Sequence, residues 1–120
     1  MRKLVVIALA LTALVPATAL AGGWATVQLS STPKGARAGV PWVVQLTVLQ
    51  HGVTPLENVQ PHVRIVQGTL ARQFLARPTA KTGVYRARVV FPRGGTWRWS
   101  IWDGFSRTHT YKAVRISPAV

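Results

Sequence analysis

Hydrophobic and polar residues alternate along most of this chain, which is the period of a β-strand with one buried face. In residues 84–91, Tyr85 and Ala87 occupy one face while Arg86 and Arg88 occupy the other. The same alternation predicts seven strands, at residues 24–30, 41–50, 59–67, 69–76, 84–91, 96–102 and 105–116. Residues 69–76 also fit one helical turn, but a short strand before the following Pro is the favoured interpretation. Gly- and Pro-rich turns separate the segments, so we expect an all-β, immunoglobulin-like antiparallel β-sandwich.

The last two strands are expected to form a hairpin, because Asp103-Gly104 fits a two-residue type I′ turn. That register makes outward-facing residues neighbours across the two strands: Trp102 with Phe105, Ser100 with Arg107, and Arg98 with His109. It also places Lys112 on the buried face beside Trp97. An unpaired buried lysine is costly, so the sequence predicts either a bulge near Tyr111 or a strand that runs past its partner.

The first 21 residues have the three parts of a signal peptide. Met1-Arg2-Lys3 is positively charged, residues 4–15 are apolar, and Ala19-Leu20-Ala21 is a small-residue cleavage site. We therefore expect an exported protein, secreted or periplasmic, whose residues 22–120 form one domain. The alternative is that the apolar segment is retained, which would leave the protein associated with the membrane.

Charge and cysteine content narrow the function. The 120 residues contain 15 Lys and Arg against 2 acids, and no cysteine. Thiolate catalysis, thiolate metal ligation and disulfides are therefore excluded. A strongly basic exported domain attracts anions, so the expected partner is an anionic envelope component or an acidic protein, with a membrane surface among the candidates. Nucleic acid ranks last, because an exported protein seldom meets it.

Three short motifs resemble those of a known family. Ala38-Gly39 precedes the long strand 41–50, Gly83-Val84-Tyr85 opens the strand 84–91, and Gly95-Thr96-Trp97 opens the next one. Over residues 36–105 this rhythm resembles the YtkA-like domain, which is related to FixH-like and broadly CopC-like immunoglobulin-like envelope proteins. The resemblance implies an accessory role at the bacterial cell envelope, in some members linked to copper handling or oxidase assembly.

Candidate chemistry is sparse. Acid–base catalysis by paired carboxylates would have to use Glu57 and Asp103, and the turn already accounts for Asp103. We therefore expect a protein that is not an enzyme and needs no cofactor. The expected contact surface is an anion- or partner-binding patch on one outer face: His62, Arg64, Arg98, Arg107 and His109, with Trp102 and Phe105 beside it. The alternative is a copper-handling or other metal-binding protein that uses surface histidines: His51, His62 and His109.

Overall fold

The computed structural model describes residues 23–120, so the predicted signal peptide at residues 1–21 lies outside the described residues. The described chain forms ten β-segments: β1 (Ala25–Leu29), β2 (Trp42–Gln50), β3 (Thr54–Pro55), β4 (His62–Gln67), β5 (Leu70–Leu75), β6 (Arg77–Pro78), β7 (Val84–Val89), β8 (Gly95–Trp102), β9 (Thr108–Thr110) and β10 (Val114–Ile116). Six of the seven predicted strands are present, including the ambiguous one at β5, and the seventh, residues 105–116, is divided into β9 and β10. Residues 23–120 contain no helix that could cross a membrane.

The strands form two antiparallel sheets that pack face to face. One sheet has the order β1-β2-β7-β6, with β3 added to β2, and the other has the order β10-β8-β4-β5, with β9 added to β8. A single parallel bridge joins Arg37 to Ser117, between the β1–β2 connection and the residue after β10. The predicted immunoglobulin-like β-sandwich is therefore confirmed.

The core lies between the inner faces of the two sheets. Alternate residues of β2, β4, β7 and β8 point inward and are buried, as the two-residue period requires. Trp42 of β2 meets Trp99 of β8 edge to face, with ring centroids 5.6 Å apart. Phe91 meets Trp97 in a similar geometry at 5.6 Å. Each such pair contributes about 0.5–1.5 kcal/mol beyond its buried area, in a domain that has no disulfide to join its sheets.

The connection between β8 and β9 differs from the predicted two-residue hairpin. Trp102 pairs with Thr108 and Ser100 with Thr110, so residues 103–107 form a five-residue connection. The physical reason is the side chain of Asp103, which is fully buried and accepts hydrogen bonds from the backbone N–H groups of the connection. A type I′ turn would hold that carboxylate in solvent. The two-residue prediction is wrong because Asp103 organises a wider loop.

A bulge near Tyr111, one of the two predicted solutions for Lys112, is present, but the changed register of β9 already turns Lys112 outward, level with Arg98. Ser100 pairs with Thr110 and Trp97 with Val114, so three residues at 111–113 face two residues of β8. The extra residue returns Val114 and Ile116 to the inward side, while Lys112 stays exposed. The Trp99 indole Nε1 donates a hydrogen bond to the Lys112 carbonyl oxygen at 3.0 Å, which fills the gap in the ladder.

Candidate functional site

The outer face of β4 and β8 carries part of the predicted anion-binding patch. Arg64 lies opposite Ser100, and Arg98 lies opposite Val66. Both arginines are exposed. They are diagonal neighbours across the two strands, a relation that places Cα atoms about 7–8 Å apart. One phosphate or carboxylate group could therefore be reached by both long side chains.

His62 and Trp102 form the end of the same face. They lie directly opposite each other on the β4–β8 pair. Burial and the positive charge of Arg64 lower the pKa of His62 below its ordinary value. His62 therefore becomes protonated, and adds charge to the patch, only at a lower pH than a free histidine does.

The other three predicted patch residues lie elsewhere. His109 pairs with Ile101 rather than Arg98, a shift of three residues, and an odd shift moves a side chain to the opposite face of a sheet. His109 therefore faces inward, so its predicted outward position is wrong. Phe105 and Arg107 lie in the 103–107 connection, and Arg107 borders a hollow beside β1 instead of facing Ser100.

Asp103 is the most heavily hydrogen-bonded side chain at this end of the sandwich. Its Oδ1 accepts from the N–H groups of Phe105 and Ser106 at 2.7 and 2.6 Å. Its Oδ2 accepts from the Ser106 hydroxyl at 2.8 Å and lies 2.9 Å from His109 Nε2. Burial acts to raise the pKa of Asp103, but these hydrogen bonds outweigh it and lower that pKa below the ordinary value. The carboxylate stays ionised inside the protein.

The Asp103, Ser106 and His109 cluster has the residues of a catalytic triad but not its connections. A triad needs a histidine that accepts the serine proton. Here the Ser106 hydroxyl donates to Asp103, and its oxygen accepts a hydrogen bond from the Ala25 backbone N–H at 3.1 Å. Ser106 therefore links the 103–107 connection to β1 through hydrogen bonds, and the cluster stabilises the fold.

The three histidines of the metal-binding alternative lie on separate elements. His51 follows β2 in a left-handed backbone conformation, with its ring 4.9 Å from that of Trp24 and its Nε2 buried without a hydrogen-bond partner. His62 is on the outer face of β4, and His109 is held by Asp103. Among residues 23–120, no group of three or more His, Cys, Asp or Glu side chains is placed to hold a metal ion.

A second basic site, which the sequence interpretation missed, lies where the chain passes from one sheet to the other. β5 ends at Leu75 in one sheet, and after Ala76 the two-residue strand β6 pairs with β7 in the other. The crossing leaves an open groove of about 760 Å³. We call it the arginine groove. Residues of β2, β5, β6 and β7, with Thr79 after β6, line it: Val43, Gln73, Phe74, Leu75, Arg77, Pro78, Thr79, Arg86 and Arg88.

Three guanidinium groups line the arginine groove. Arg77 lies directly opposite Arg86 across the β6–β7 pair, and Arg88 follows two residues along the same face of β7. The sequence did carry one signal, since Arg86 and Arg88 alternate on the outward side of a strand. It could not show the third arginine, because nothing in the local pattern indicates that Arg77 pairs with Arg86.

No protein-family model matches this chain, and no curated protein or solved structure matches it. The fold and the sites therefore define the protein: an immunoglobulin-like β-sandwich with basic side chains exposed on both sheets.

Proposed function

We propose that this protein is an exported, non-enzymatic accessory or binding module of the bacterial cell envelope, of YtkA-like type. Its basic surface binds an anionic envelope component or an acidic protein. The contact surface on the outer face of β4 and β8 consists of the predicted patch residues that lie together there: His62, Arg64, Arg98 and Trp102.

One observation carries this proposal: the basic side chains have almost no internal counter-ions. Residues 22–120 contain 13 Lys and Arg but only Glu57 and Asp103 as acids. Within residues 23–120, the one contact between an acidic and a basic side chain joins Asp103 to His109, so no arginine or lysine there is paired with a carboxylate. A surface of uncompensated guanidinium groups attracts and retains anions.

The chemistry of the exposed groups suits carboxylate and phosphate. Each guanidinium presents a planar fork of N–H donors that matches two oxygens of either group. At the patch, the Trp102 ring is half-buried beside His62 and adds an apolar contact next to the charges. Such contacts between exposed charges are screened by salt.

The positions of the two acidic residues support a binding role over a hydrolytic one. Asp103 is fully buried and accepts hydrogen bonds from its own loop, while Glu57 is exposed in the connection before β4. Paired-carboxylate hydrolysis would need both acids to flank one substrate bond.

The direct test is binding of residues 22–120 to three anionic probes: phosphatidylglycerol vesicles, teichoic acid and polyglutamate. Co-sedimentation or titration would be repeated between about 0.01 M and 1 M salt, over which the screening length falls from about 30 Å to about 3 Å. We expect binding to at least one probe that declines steeply across this range. Binding that is insensitive to salt, or no binding to any probe, would contradict the proposal.

Two matched variants place the contact. The patch variant Arg64→Gln/Arg98→Gln removes two charges from the outer face. The control Lys34→Gln/Lys81→Gln removes two charges from the β1–β2 and β6–β7 connections, where both side chains are exposed. We expect the patch variant to bind more weakly than the control. Equal effects would show that net charge alone attracts the partner.

Export is tested separately. We expect the protein recovered from the cell envelope or medium to begin at Gly22, as read by N-terminal sequencing. A chain that still begins at Met1 in the membrane fraction would show that the segment is retained.

A further inference from the structure

The arginine groove places like charges where a sheet normally places opposite ones. Arg77 and Arg86 are directly opposed across β6 and β7, an arrangement that destabilises a sheet when no counter-ion is present. Arg88 adds a third charge on the same face. Within residues 23–120, no hydrogen bond or ion pair engages these three guanidinium groups; the arginine side chains that do donate are Arg72 and Arg93. An external anion would relieve this repulsion.

The groove also has an apolar wall beside its charges. Val43 and Leu75 line it and are 41% and 51% exposed, so both belong to the exposed large hydrophobic side chains of residues 23–120. Val43 lies directly opposite Arg88 in the β2–β7 pair, so charge and apolar surface are immediate neighbours. A small inorganic anion would leave this wall in water. A ligand with an apolar chain next to its anionic group would cover it.

The number of guanidinium groups favours phosphate over carboxylate. A carboxylate has two oxygens, and one arginine fork satisfies both. A phosphate monoester has three non-bridging oxygens and up to two negative charges, so it can accept from two or three forks at once. Three arginines around one groove therefore match a phosphate group.

The groove adjoins the outer-face patch. Leu75 lies opposite His62 and Gln73 lies opposite Arg64 on the β4–β5 pair, and both residues also line the groove. An anionic surface that meets the patch would therefore extend to the mouth of the groove. This continuity indicates a ligand that belongs to such a surface.

We propose that the arginine groove binds the phosphate headgroup of an anionic amphiphile, with Arg77, Arg86 and Arg88 on the phosphate and the adjoining apolar chain against Val43 and Leu75. The proposal rests on the proposed function and assigns its ligand class: a phosphate-headed lipid of the membrane surface.

The test uses residues 22–120 and three soluble probes: dihexanoyl phosphatidic acid, dihexanoyl phosphatidylcholine and inorganic phosphate. Binding is followed by titration calorimetry and by NMR shifts of the backbone amides. We expect phosphatidic acid to bind and to shift the amides of Val43, Leu75 and Arg88. Inorganic phosphate should bind at least about tenfold more weakly, because it does not cover the apolar wall. Equal affinity for phosphate, or for the zwitterionic phosphatidylcholine, would overturn the assignment.

Matched variants locate the site. The groove variant Arg77→Gln/Arg86→Gln/Arg88→Gln should bind phosphatidic acid more than about 30-fold more weakly, since it loses several charge-assisted contacts. The control Lys34→Gln/Lys112→Gln/Arg115→Gln has the same net charge and changes only exposed side chains at the β10 edge, so we expect less than a threefold effect. Leu75→Gln should weaken phosphatidic acid but leave inorganic phosphate unchanged.

The outcomes separate this inference from the proposed function. If the groove and control variants lose affinity equally while the wild type still binds anionic vesicles in a salt-dependent way, the groove is not the site and the broader proposal stands. If the wild type binds no anionic probe, both are wrong. All the substituted arginines are exposed, so we expect the variants to fold. The urea midpoint of each variant is measured before binding is compared, so that unfolding is not mistaken for a loss of affinity.

Discussion

Replacing Asp103 by alanine should destabilise the domain far more than replacing Glu57, the other acidic residue. Asp103 is fully buried, and its two oxygens accept from three backbone N–H groups, one hydroxyl and one imidazole: Phe105, Ser106 and Arg107 N–H, Ser106 Oγ and His109 Nε2. Alanine removes every acceptor at once. The 103–107 connection would then lose the group that determines its shape.

The magnitude follows from the number and kind of these contacts. A hydrogen bond to a charged group contributes about 1.5–3 kcal/mol net, but the contacts of one carboxylate are not additive. After loosening, the backbone N–H groups of the connection regain water, so about 3–4 kcal/mol is a reasonable total. A domain of this size has about 5–15 kcal/mol of stability, and each kcal/mol corresponds to about 4–8 °C in Tm. We therefore expect Tm to fall by about 12–32 °C.

The measurement is urea unfolding followed by tryptophan fluorescence, because Trp97 and Trp99 are buried in the folded state. Glu57→Gln is the matched control: it removes the other acid, which is exposed, and should change stability by less than about 0.5 kcal/mol. If Asp103→Ala costs less than about 1 kcal/mol, the carboxylate does not organise the connection and the reasoning is refuted.

The pH dependence of stability gives a second test of the role of Asp103, because the direction of the change can be predicted. Hydrogen bonds lower the pKa of Asp103 in the folded state despite burial, whereas an unfolded aspartate titrates near about 3.9. A lowered folded pKa means that the stabilisation is fully present above the unfolded pKa and is lost as pH falls through the folded one. The stability difference between wild type and Asp103→Ala should therefore be constant near neutral pH and narrow below about pH 4. A difference that widens on acidification would show the opposite linkage.

Three further predictions concern the sandwich itself. Gly104→Ala should destabilise by more than about 2 kcal/mol, because φ is +81° and a Cβ would lie 2.7 Å from the Gln60 backbone nitrogen, while Gly35→Ala, at a similar φ in open space, should cost about 1 kcal/mol by urea unfolding. Trp99→Ala should cost about 3–5 kcal/mol and remove the near-ultraviolet circular dichroism of its contact with Trp42. Arg72→Val, on the inner-face parity of the edge strand β5, should raise aggregation in light scattering, because an inward-pointing charge protects a sheet edge.

The strands were predictable because their signal is local. Buried and exposed residues alternate from Tyr85 to the end of β7, and the structure keeps the predicted faces of Tyr85 and Arg86. The sequence predicts a bulge near Tyr111 from the position of Lys112, and a bulge is present, but for another reason: the wider connection already turns Lys112 outward, and the extra residue keeps Val114 and Ile116 on the buried face.

The β8–β9 connection could not be predicted because its shape depends on a buried side chain. Asp-Gly is a strong turn signal, yet the same aspartate can accept hydrogen bonds from its own loop when the surrounding fold excludes water. The side chain of Ser106 and the backbone of Ala25, distant in sequence, complete that environment. The resulting shift of the β9 register moved His109 from the outer face to the inner one and divided the predicted patch.

The distribution of the two acids explains why the basic surface is available at all. An acid on an outer face would pair with neighbouring arginines and reduce their attraction for an external anion. Asp103 is instead enclosed by its own loop and by His109, so the only buried charge of the described chain stabilises the fold without neutralising the surface. The arginines at the groove and on the outer face of β4 and β8 are then left to repel one another. The apolar core offsets the destabilisation that this repulsion causes. A bound anion would instead make the same charges stabilising, because a ligand that binds only the folded state shifts the folding equilibrium toward it.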